Sequence, residues 1–275
     1  MKFKILVLTL VIGAFSFAQK KEKIKGNKFV KVKQHQIADF NELNLNGNFE
    51  VFLLKGSTPQ IEIETDENLH EVIQFSITDN GVLSLKTSHQ ITSKKKLNIR
   101  ITVTNNFNSI IISDKAKVNS LIDLDLDKIS IIAKGNSKIY LTLKTTDFKY
   151  TAEKHVKTEL NLTTKKGAIQ LSESTDLEAL INAEELKIDF YQKANAKVEG
   201  EVTNLNLRVD NAANYKGQKL TTTNATVITE GSADCDIEVK ETLILEASGS
   251  SKINIYNTPK IDLKKFEDSA SIFKK

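Results

Sequence analysis

The chain has 275 residues, 27% of them charged and 40% hydrophobic, with one cysteine and two prolines. One cysteine excludes an internal disulfide, and the length is ample for a hydrophobic core. The 39 basic and 35 acidic residues leave a formal net charge of +4. Such a weak excess of positive charge argues against a nucleic-acid partner, and the scarcity of proline argues against linkers.

Residues 1–18 have the features of a secretory signal peptide. Lys2 and Lys4 precede an apolar run over residues 5–15, and Ser16 and Ala18 offer small side chains where cleavage is determined. The run is too short to cross a membrane as a helix, and no later segment approaches the required length. The sequence therefore predicts an exported chain cut after Ala18, without a transmembrane segment, in the periplasm, at the outer membrane or outside the cell.

The next two segments are less regular than the rest of the chain. Residues 19–39 are basic, and the stretch from Lys20 to Lys33 is expected to be partly disordered. Residues 40–104 contain short alternating apolar runs, and Asn80-Gly81 separates two of them as a hairpin turn does. We expect residues 40–104 to form the opening coils and a cap, because an uncovered first edge invites end-to-end pairing of sheets.

Residues 105–275 repeat a unit of about nineteen residues nine times. In each unit a polar corner and a small residue precede an alternating apolar run. We call the first position of the alternating run after each corner its anchor, and the anchors are Val118, Ile139, Thr158, Leu177, Val198, Tyr215, Cys235, Ile253 and Ile272. The residue four positions before each anchor is mostly of a type that tolerates a left-handed turn, and the residue two positions before it is no larger than valine.

The alternation within each unit indicates β-strands. Ile139, Leu141 and Leu143, for example, alternate with more polar residues, which places one face in a core and the other in water. A fixed repeat of this length is typical of stacked units that bury their apolar faces only against each other. The sequence therefore predicts an all-β, single-stranded parallel β-helix domain over residues 40–275, with about nine regular coils in residues 105–275.

Several short motifs, taken in order, carry a resemblance to a known family. They are residues 49–53 followed by Lys55 and Gly56, residues 66–69, residues 80–85, residues 231–233 and residues 248–250. Together they resemble the head GIN domain family, whose members are described as autotransporter-adhesin-like, over roughly residues 40–260. The resemblance implies an exported, right-handed β-helix of a Bacteroidota-type bacterium, with no established catalytic residues to carry over.

No arrangement of side chains predicts catalysis, a metal or a cofactor. Asp123, Asp125 and Asp127 alternate with apolar residues and are expected to line one solvated strand face, because calcium needs converging oxygen ligands. The four histidines lack ligand spacing, and His155 is expected in a surface turn. Cys235 occupies an anchor position and is expected to be an inert buried thiol.

Three functions from different classes remain open. The first is an exported, non-catalytic binding or adhesion-like module of the bacterial envelope, with an envelope glycan or a protein as partner. The second is a polysaccharide lyase or hydrolase on a β-helix, although such enzymes need a walled cleft and the coil spacing here never exceeds 21 residues. The third is a purely structural or envelope-stress protein.

For the binding module, outward aromatic and lysine side chains supply the candidate surface contacts: Lys138, Tyr140, Lys252 and Tyr256. The lysine run from Lys94 to Lys96 is expected to be a solvated loop, with contact to an anionic glycan or lipid headgroup as the alternative.

Overall fold

The computed structural model describes residues 21–275. These residues form twenty-two β-strands and one short 3₁₀ helix, Glu67–Leu69, and they contain no α-helix. Within them, no helix has the length and apolar character needed to cross a membrane. The predicted signal peptide, residues 1–18, lies outside the described residues.

Nine strands form the N-terminal part of the described chain. In chain order they are β1 (Lys23–Lys25), β2 (Val30–Gln36), β3 (Glu42–Gly47), β4 (Glu50–Lys55), β5 (Gln60–Asp66), β6 (Ile73–Ile77), β7 (Val82–Thr87), β8 (Gln90–Ser93) and β9 (Leu97–Val103). Strand β5 pairs antiparallel with both β2 and β9, and β6 pairs antiparallel with β7. Asn80 and Gly81 lie in the turn between β6 and β7, which confirms the predicted hairpin.

Thirteen strands form the rest of the chain. They are β10 (Ser109–Asp114), β11 (Lys117–Ser120), β12 (Leu124–Asp125), β13 (Lys128–Ala133), β14 (Lys138–Ala152), β15 (Lys157–Leu171), β16 (Asp176–Phe190), β17 (Asn195–Val209), β18 (Asn214–Thr229), β19 (Asp234–Ala247), β20 (Lys252–Tyr256), β21 (Lys260–Phe266) and β22 (Ser271–Lys274). Each pairs in parallel with the matching strand of an adjacent turn. This part is a parallel β-solenoid of about nine turns, as predicted.

The cap and the solenoid are joined through β3 and β4. These strands pair in parallel with β10 and β11 on one side and with β7 and β9 on the other. One layer further out the pairing becomes antiparallel, through β5 and β6. The first edge of the parallel stack is therefore covered by strands of opposite direction.

Strand β2 corrects one expectation about the basic segment. It pairs with β5 along its whole length, from Val30 opposite Asp66 to Gln36 opposite Gln60. The expected disorder is therefore wrong for Val30 to Lys33. The physical reason is that lysine is common on edge strands, where it prevents pairing with another molecule, so a lysine-rich stretch is not by itself a sign of disorder.

Each full coil turns at two corners. In β14 the buried residues alternate up to Thr145, Thr146 and Asp147 then both point outward, and burial resumes at Phe148. Two consecutive outward residues shift the alternation by one position, which bends the strand without ending it. The Thr145 hydroxyl donates a hydrogen bond of 2.9 Å to the carbonyl of Asp127 in the preceding coil, so this corner is tied to its neighbour.

The first corner of every coil has one residue in the left-handed conformation. The set has φ values between +60° and +75° and consists of Asp114, Gly135, Lys154, Glu173, Gln192, Asn211, Gly231, Gly249 and Asp268. Six of the nine carry a side chain in this conformation, which costs more than it does for glycine. The stack therefore imposes the left-handed backbone at this corner, and the residue type found there is only weakly restricted.

Gln192 shows that one predicted anchor is wrong. Its φ of +64° places it at the left-handed corner position. Consistently, Ala196 pairs with Leu177 of the coil before and Tyr215 of the coil after, whereas Val198 pairs with Ala179. The anchor of this coil is therefore Ala196, two residues before the predicted Val198, and the longer spacing inferred from the sequence disappears.

The core is a continuous column of inward side chains that runs through all the coils. The position just after the first corner is buried and small throughout the middle of the stack, as in Ala116, Ala194, Ala213 and Ala233. Coils in a sheet lie about 4.8 Å apart, so a side chain at a tight corner meets the same position of its neighbours directly. Only small residues fit there without moving the backbone.

Candidate binding face

The outward side chains between the first and second corners form a flat ladder that we call the lateral face. It is built on β11, the first halves of β14 to β19, and β20 and β22. Parallel pairing without a register shift from β14 to β17 stacks one residue per coil into a column. The central column, one residue after each anchor, is Asn119, Tyr140, Glu159, Glu178, Lys197, Lys216, Asp236, Asn254 and Phe273.

The middle of the lateral face has two overlapping shallow depressions. Their volumes are about 530 Å³ and 500 Å³, and both are open to solvent. Both are lined by Tyr140, Glu159, Glu178 and Lys197. The larger one is also lined by Leu180, whose side chain is 45% exposed. The depressions therefore combine one aromatic ring, one exposed aliphatic group and charges of both signs.

The charges of the depression form a small network. The Lys197 ammonium lies 3.0 Å from the Glu199 carboxylate, and the ammonium of Lys219 lies 3.6 Å from the same oxygen. The hydrogen bond to Glu199 and the charge of that carboxylate raise the pKa of Lys197, and the same hydrogen bond lowers the pKa of Glu199. Both of these groups therefore stay charged at neutral pH.

The structure divides the four predicted contacts into two pairs. Lys138 and Tyr140 lie on the lateral face of β14, and Tyr140 lines both depressions. Lys252 and Tyr256 lie on β20, six coils further along, roughly 29 Å away at about 4.8 Å per coil. The four residues share a face but do not form one site.

Sequence reasoning missed the acidic part of the depression. Glu159 and Glu178 stand in the same column as Tyr140, one residue after their anchors. The nineteen-residue repeat contained this signal, since the column can be read by adding one to each anchor. The error at Val198 affected only the next coil, where it placed Glu199 instead of Lys197 in the column.

The aspartate row, His155 and Cys235 all lie outside the depressions. Asp123, Asp125 and Asp127 are all exposed, and residues 21–275 contain no cluster of three or more metal-binding side chains. His155 is exposed at a first corner, as predicted. Cys235 is fully buried, and this burial raises the pKa of its thiol far above the usual value, with the charges of Asp236 and Asp234 acting in the same direction.

The fold and its faces define the class of this protein, an all-β parallel solenoid closed by an antiparallel cap. The chain belongs to the head GIN domain family. The family model described as "Putative auto-transporter adhesin, head GIN domain" matches residues 39–180 and 149–259. Among the curated proteins, none matches this sequence.

Solved structures of similar architecture come from Parabacteroides species. A putative adhesin from Parabacteroides merdae ATCC 43184 is 17% identical, with a TM-score of 0.68, over 92% of this chain and 99% of that one. A putative adhesin from Parabacteroides distasonis ATCC 8503 is also 17% identical, with a TM-score of 0.59, over 91% and 99% of the two chains. A third structure, titled a putative lipid binding protein from Parabacteroides distasonis ATCC 8503, is 15% identical with a TM-score of 0.59, over 92% and 97%. At these identities the likeness establishes the shared fold.

Proposed function

We propose that this protein is an exported, non-catalytic binding module of the bacterial envelope with an adhesion-like role. The observation that carries the proposal is the mixed-charge depression on the lateral face, centred on Tyr140, Glu159, Glu178 and Lys197. The family description and the titles of two similar structures name adhesins, which supports an adhesion-like role. The predicted signal peptide supports export.

An envelope glycan is the ligand that fits this chemistry best. The ring of Tyr140 offers a flat apolar surface, and the neighbouring carboxylates and ammonium groups accept and donate hydrogen bonds. Because the columns repeat at about 4.8 Å, an extended chain can meet equivalent groups in several coils, so weak contacts add along the face. A protein partner with exposed hydroxyl and charged groups is the alternative.

The arrangement of the two arginines favours binding over polysaccharide cleavage. Arg100 forms an ion pair with Glu62 in the cap. Arg208 lies on a different run of the coil, after the second corner of β17, where its Nε is 2.9 Å from Asp210. Both guanidinium groups already have acidic partners, and they do not converge on the depression. A lyase needs a positioned base and a charged clamp in one cleft.

The test is a glycan and envelope-component array probed with residues 19–275 and with two tyrosine variants. Tyr140→Ala should weaken binding about tenfold, as expected for an aromatic anchor. Tyr191→Ala is the matched control, because Tyr191 lies at a first corner and lines neither depression. Equal loss from both variants would remove the depression as the binding site.

A lyase absorbance assay on acidic glycans, run in parallel, separates the binding module from the enzyme. We expect no turnover. Steady formation of unsaturated product that disappears on changing Arg100 or Arg208 would establish the enzyme instead. A chain that binds nothing on the array and cleaves nothing would leave the structural or envelope-stress role.

A further inference from the structure

One turn of the cap exposes an aromatic ring among lysines. Phe29 is 72% exposed, more than the other large apolar side chains in the described part of the chain, and Val32 on the adjoining strand β2 is 53% exposed. The neighbouring side chains of Lys25, Lys28 and Lys95 are also exposed. We call Lys25, Lys28, Phe29, Lys94 and Lys95 the cap tip.

A buried carboxylate brings the two lysine segments of the cap tip together. Asp66 is fully buried and accepts hydrogen bonds from the backbone N–H groups of Lys28, at 3.0 Å, and Lys95, at 3.1 Å, on the same oxygen. These two nitrogens therefore lie no more than about 6 Å apart, although the residues are far apart in sequence. The charges of both segments are thus presented on one small surface.

The turn that presents Phe29 is fixed on both sides. The Asn68 side chain accepts a hydrogen bond from the Asn27 N–H at 2.9 Å and donates one to the Lys25 carbonyl at 2.8 Å. Lys28 has a φ of +67°, a left-handed conformation that a lysine adopts only when its surroundings require it. Phe29 is therefore exposed because the backbone of the turn is held in place, so binding at this turn does not require the backbone to become ordered.

The cap tip itself contains four lysines and no acidic residue, and the carboxylate next to it, Asp66, is buried. Within residues 21–275, Lys25, Lys28, Lys94 and Lys95 form no salt bridge, whereas Lys96 next to them pairs with Glu64 at 2.6 Å. Four exposed lysines outside any salt bridge, on the same segments of the cap as an exposed phenylalanine, match a surface that is anionic outside and apolar just beneath.

We propose that the cap tip binds the surface of a membrane that contains anionic phospholipids. The lysines contact the lipid phosphates, and the Phe29 ring enters the boundary between headgroups and acyl chains. A soluble polyanion would account for the lysines but not for an exposed phenylalanine on a fixed backbone turn. The inference rests on the envelope location proposed above and is independent of the ligand of the lateral face. Because the cap tip lies at the end of the stack, the depression on β14 to β17 stays accessible.

The test is vesicle co-sedimentation of residues 19–275 with phosphatidylcholine alone and with phosphatidylcholine mixed with phosphatidylglycerol. We expect binding to the mixed vesicles only. Phe29→Ser should weaken it about tenfold, from the loss of one inserted aromatic ring. The double change Lys28→Glu and Lys95→Glu should weaken it at least about tenfold, since each lysine near an anionic surface contributes roughly fivefold.

Matched controls use the same chemistry elsewhere on the molecule. Phe273→Ser removes a ring that is 47% exposed in the last coil, and Lys149→Glu with Lys240→Glu reverses two exposed lysines of the solenoid. Both should retain wild-type binding, and every variant is assayed at a temperature well below its own melting temperature, so that loss of binding does not reflect unfolding. No binding to mixed vesicles, equal binding to both vesicles, or equal loss in the controls would overturn the proposal.

A competition with dextran sulfate identifies the remaining possibility. If Phe29→Ser binds vesicles as wild type does while dextran sulfate displaces the protein, the cap tip is a site for soluble polyanions and the membrane proposal is wrong. Each of these outcomes leaves the array result for Tyr140→Ala unchanged, so failure here is distinguishable from failure of the proposed function.

Discussion

The two ends of the solenoid differ in how the edge of the sheet is covered. At the N-terminal end, antiparallel strands cover the first coil, and the edge strand β2 carries exposed Lys31 and Lys33 opposite Thr65 and Ile63 of β5. At the C-terminal end, β21 and β22 continue the parallel stack and pair on one side only within the described residues. Lysines at the core-facing positions of an edge strand prevent another strand from pairing with it. A parallel edge with apolar side chains permits such pairing.

The comparison shows that burial in this protein depends on neighbours rather than on residue type. Leu245 and Leu263 occupy the same inward column in adjacent strands, yet Leu245 is fully buried and Leu263 is 46% exposed. Ile261 and Phe266 are exposed to a similar extent. A solenoid is stabilised by contacts between adjacent coils, so a coil with one neighbour gains about half of what an interior coil gains.

The largest expected difference between an interior coil and the last coil is in thiol accessibility. Cys235 and Ile272 share the anchor column, two strands apart. Cys235 is fully buried, whereas Ile272 is partly exposed. We expect a thiol reagent to label Cys235 about a thousandfold more slowly than the introduced thiol of Ile272→Cys, measured in a Cys235→Ala background, because labelling of Cys235 requires an opening that costs about 4 kcal/mol. Rapid labelling of native Cys235 would contradict the register of the stack.

The second difference concerns core truncation. Leu245→Ala should lower the free energy of unfolding by about 3 kcal/mol, from lost transfer energy and a residual cavity. Leu263→Ala should lower it by less than about 1 kcal/mol, since its site is open and no cavity forms. Urea unfolding followed by circular dichroism measures both. Equal losses would mean that the last coil is covered in solution, by a second copy or by another molecule.

The third prediction compares carboxylates at the two ends. Burial raises the pKa of Asp66, but the N–H groups of Lys95, Lys28 and Lys96 outweigh it, so its pKa lies below the usual value. Asp66→Asn should cost about 2 kcal/mol, because it turns an acceptor into a donor that faces buried N–H groups. Asp262→Asn, which breaks an exposed pair with Lys264 in β21, should cost less than about 0.5 kcal/mol.

The pH dependence of the Asp66 contribution follows from the direction of its pKa shift. A carboxyl group with a lowered pKa in the folded state stabilises the fold above its unfolded pKa, about 4, and this contribution is lost as the pH falls through the folded value. The protection factors of the Lys95 and Lys96 amides against hydrogen exchange, corrected for the intrinsic rate at each pH, should therefore fall on acidification below about pH 4 in the wild type. In Asp66→Asn the protection factors should be low already at neutral pH, and high protection there would show that Asp66 does not hold the cap.

The fold was predictable because the same constraint recurs in every coil. The period-two alternation and the small residue after the corner are consequences of stacking, so nine copies of each outweigh individual exceptions. The prediction failed at Gln192. The stack sets the position of the left-handed residue, and glutamine is not a residue type that identifies such a position in the sequence. Strand β2 was missed for a related reason: a protected edge strand and a disordered basic segment have similar compositions.

The candidate site was predictable only in part. Tyr140 was found because it is an outward aromatic residue in a regular strand, whereas Glu159 and Glu178 meet it only across coils. Nothing local distinguishes these two glutamates from other outward acids. The cap tip depends on the long-range bonds of Asp66, which no periodicity reports.

The last comparison tests overpacking at two positions of the corner column, Ala233 in an interior coil and Ala270 in the last coil. Ala233 is fully buried, and Ala270 is only partly buried. Ala233→Leu should cost about 1 to 3 kcal/mol by overpacking against the adjacent coils, whereas Ala270→Leu has free space on one side and should stay within about 0.5 kcal/mol. Ser232→Ala is the local control, because Ser232 is exposed beside Ala233 and loses only a 3.2 Å hydrogen bond to the Asn211 carbonyl. Urea unfolding measures the change in the free energy of unfolding for all three variants. An equal cost at Ala233 and Ala270 would mean that crowding at the corner comes from within one coil. Interior and terminal coils would then not differ at this position.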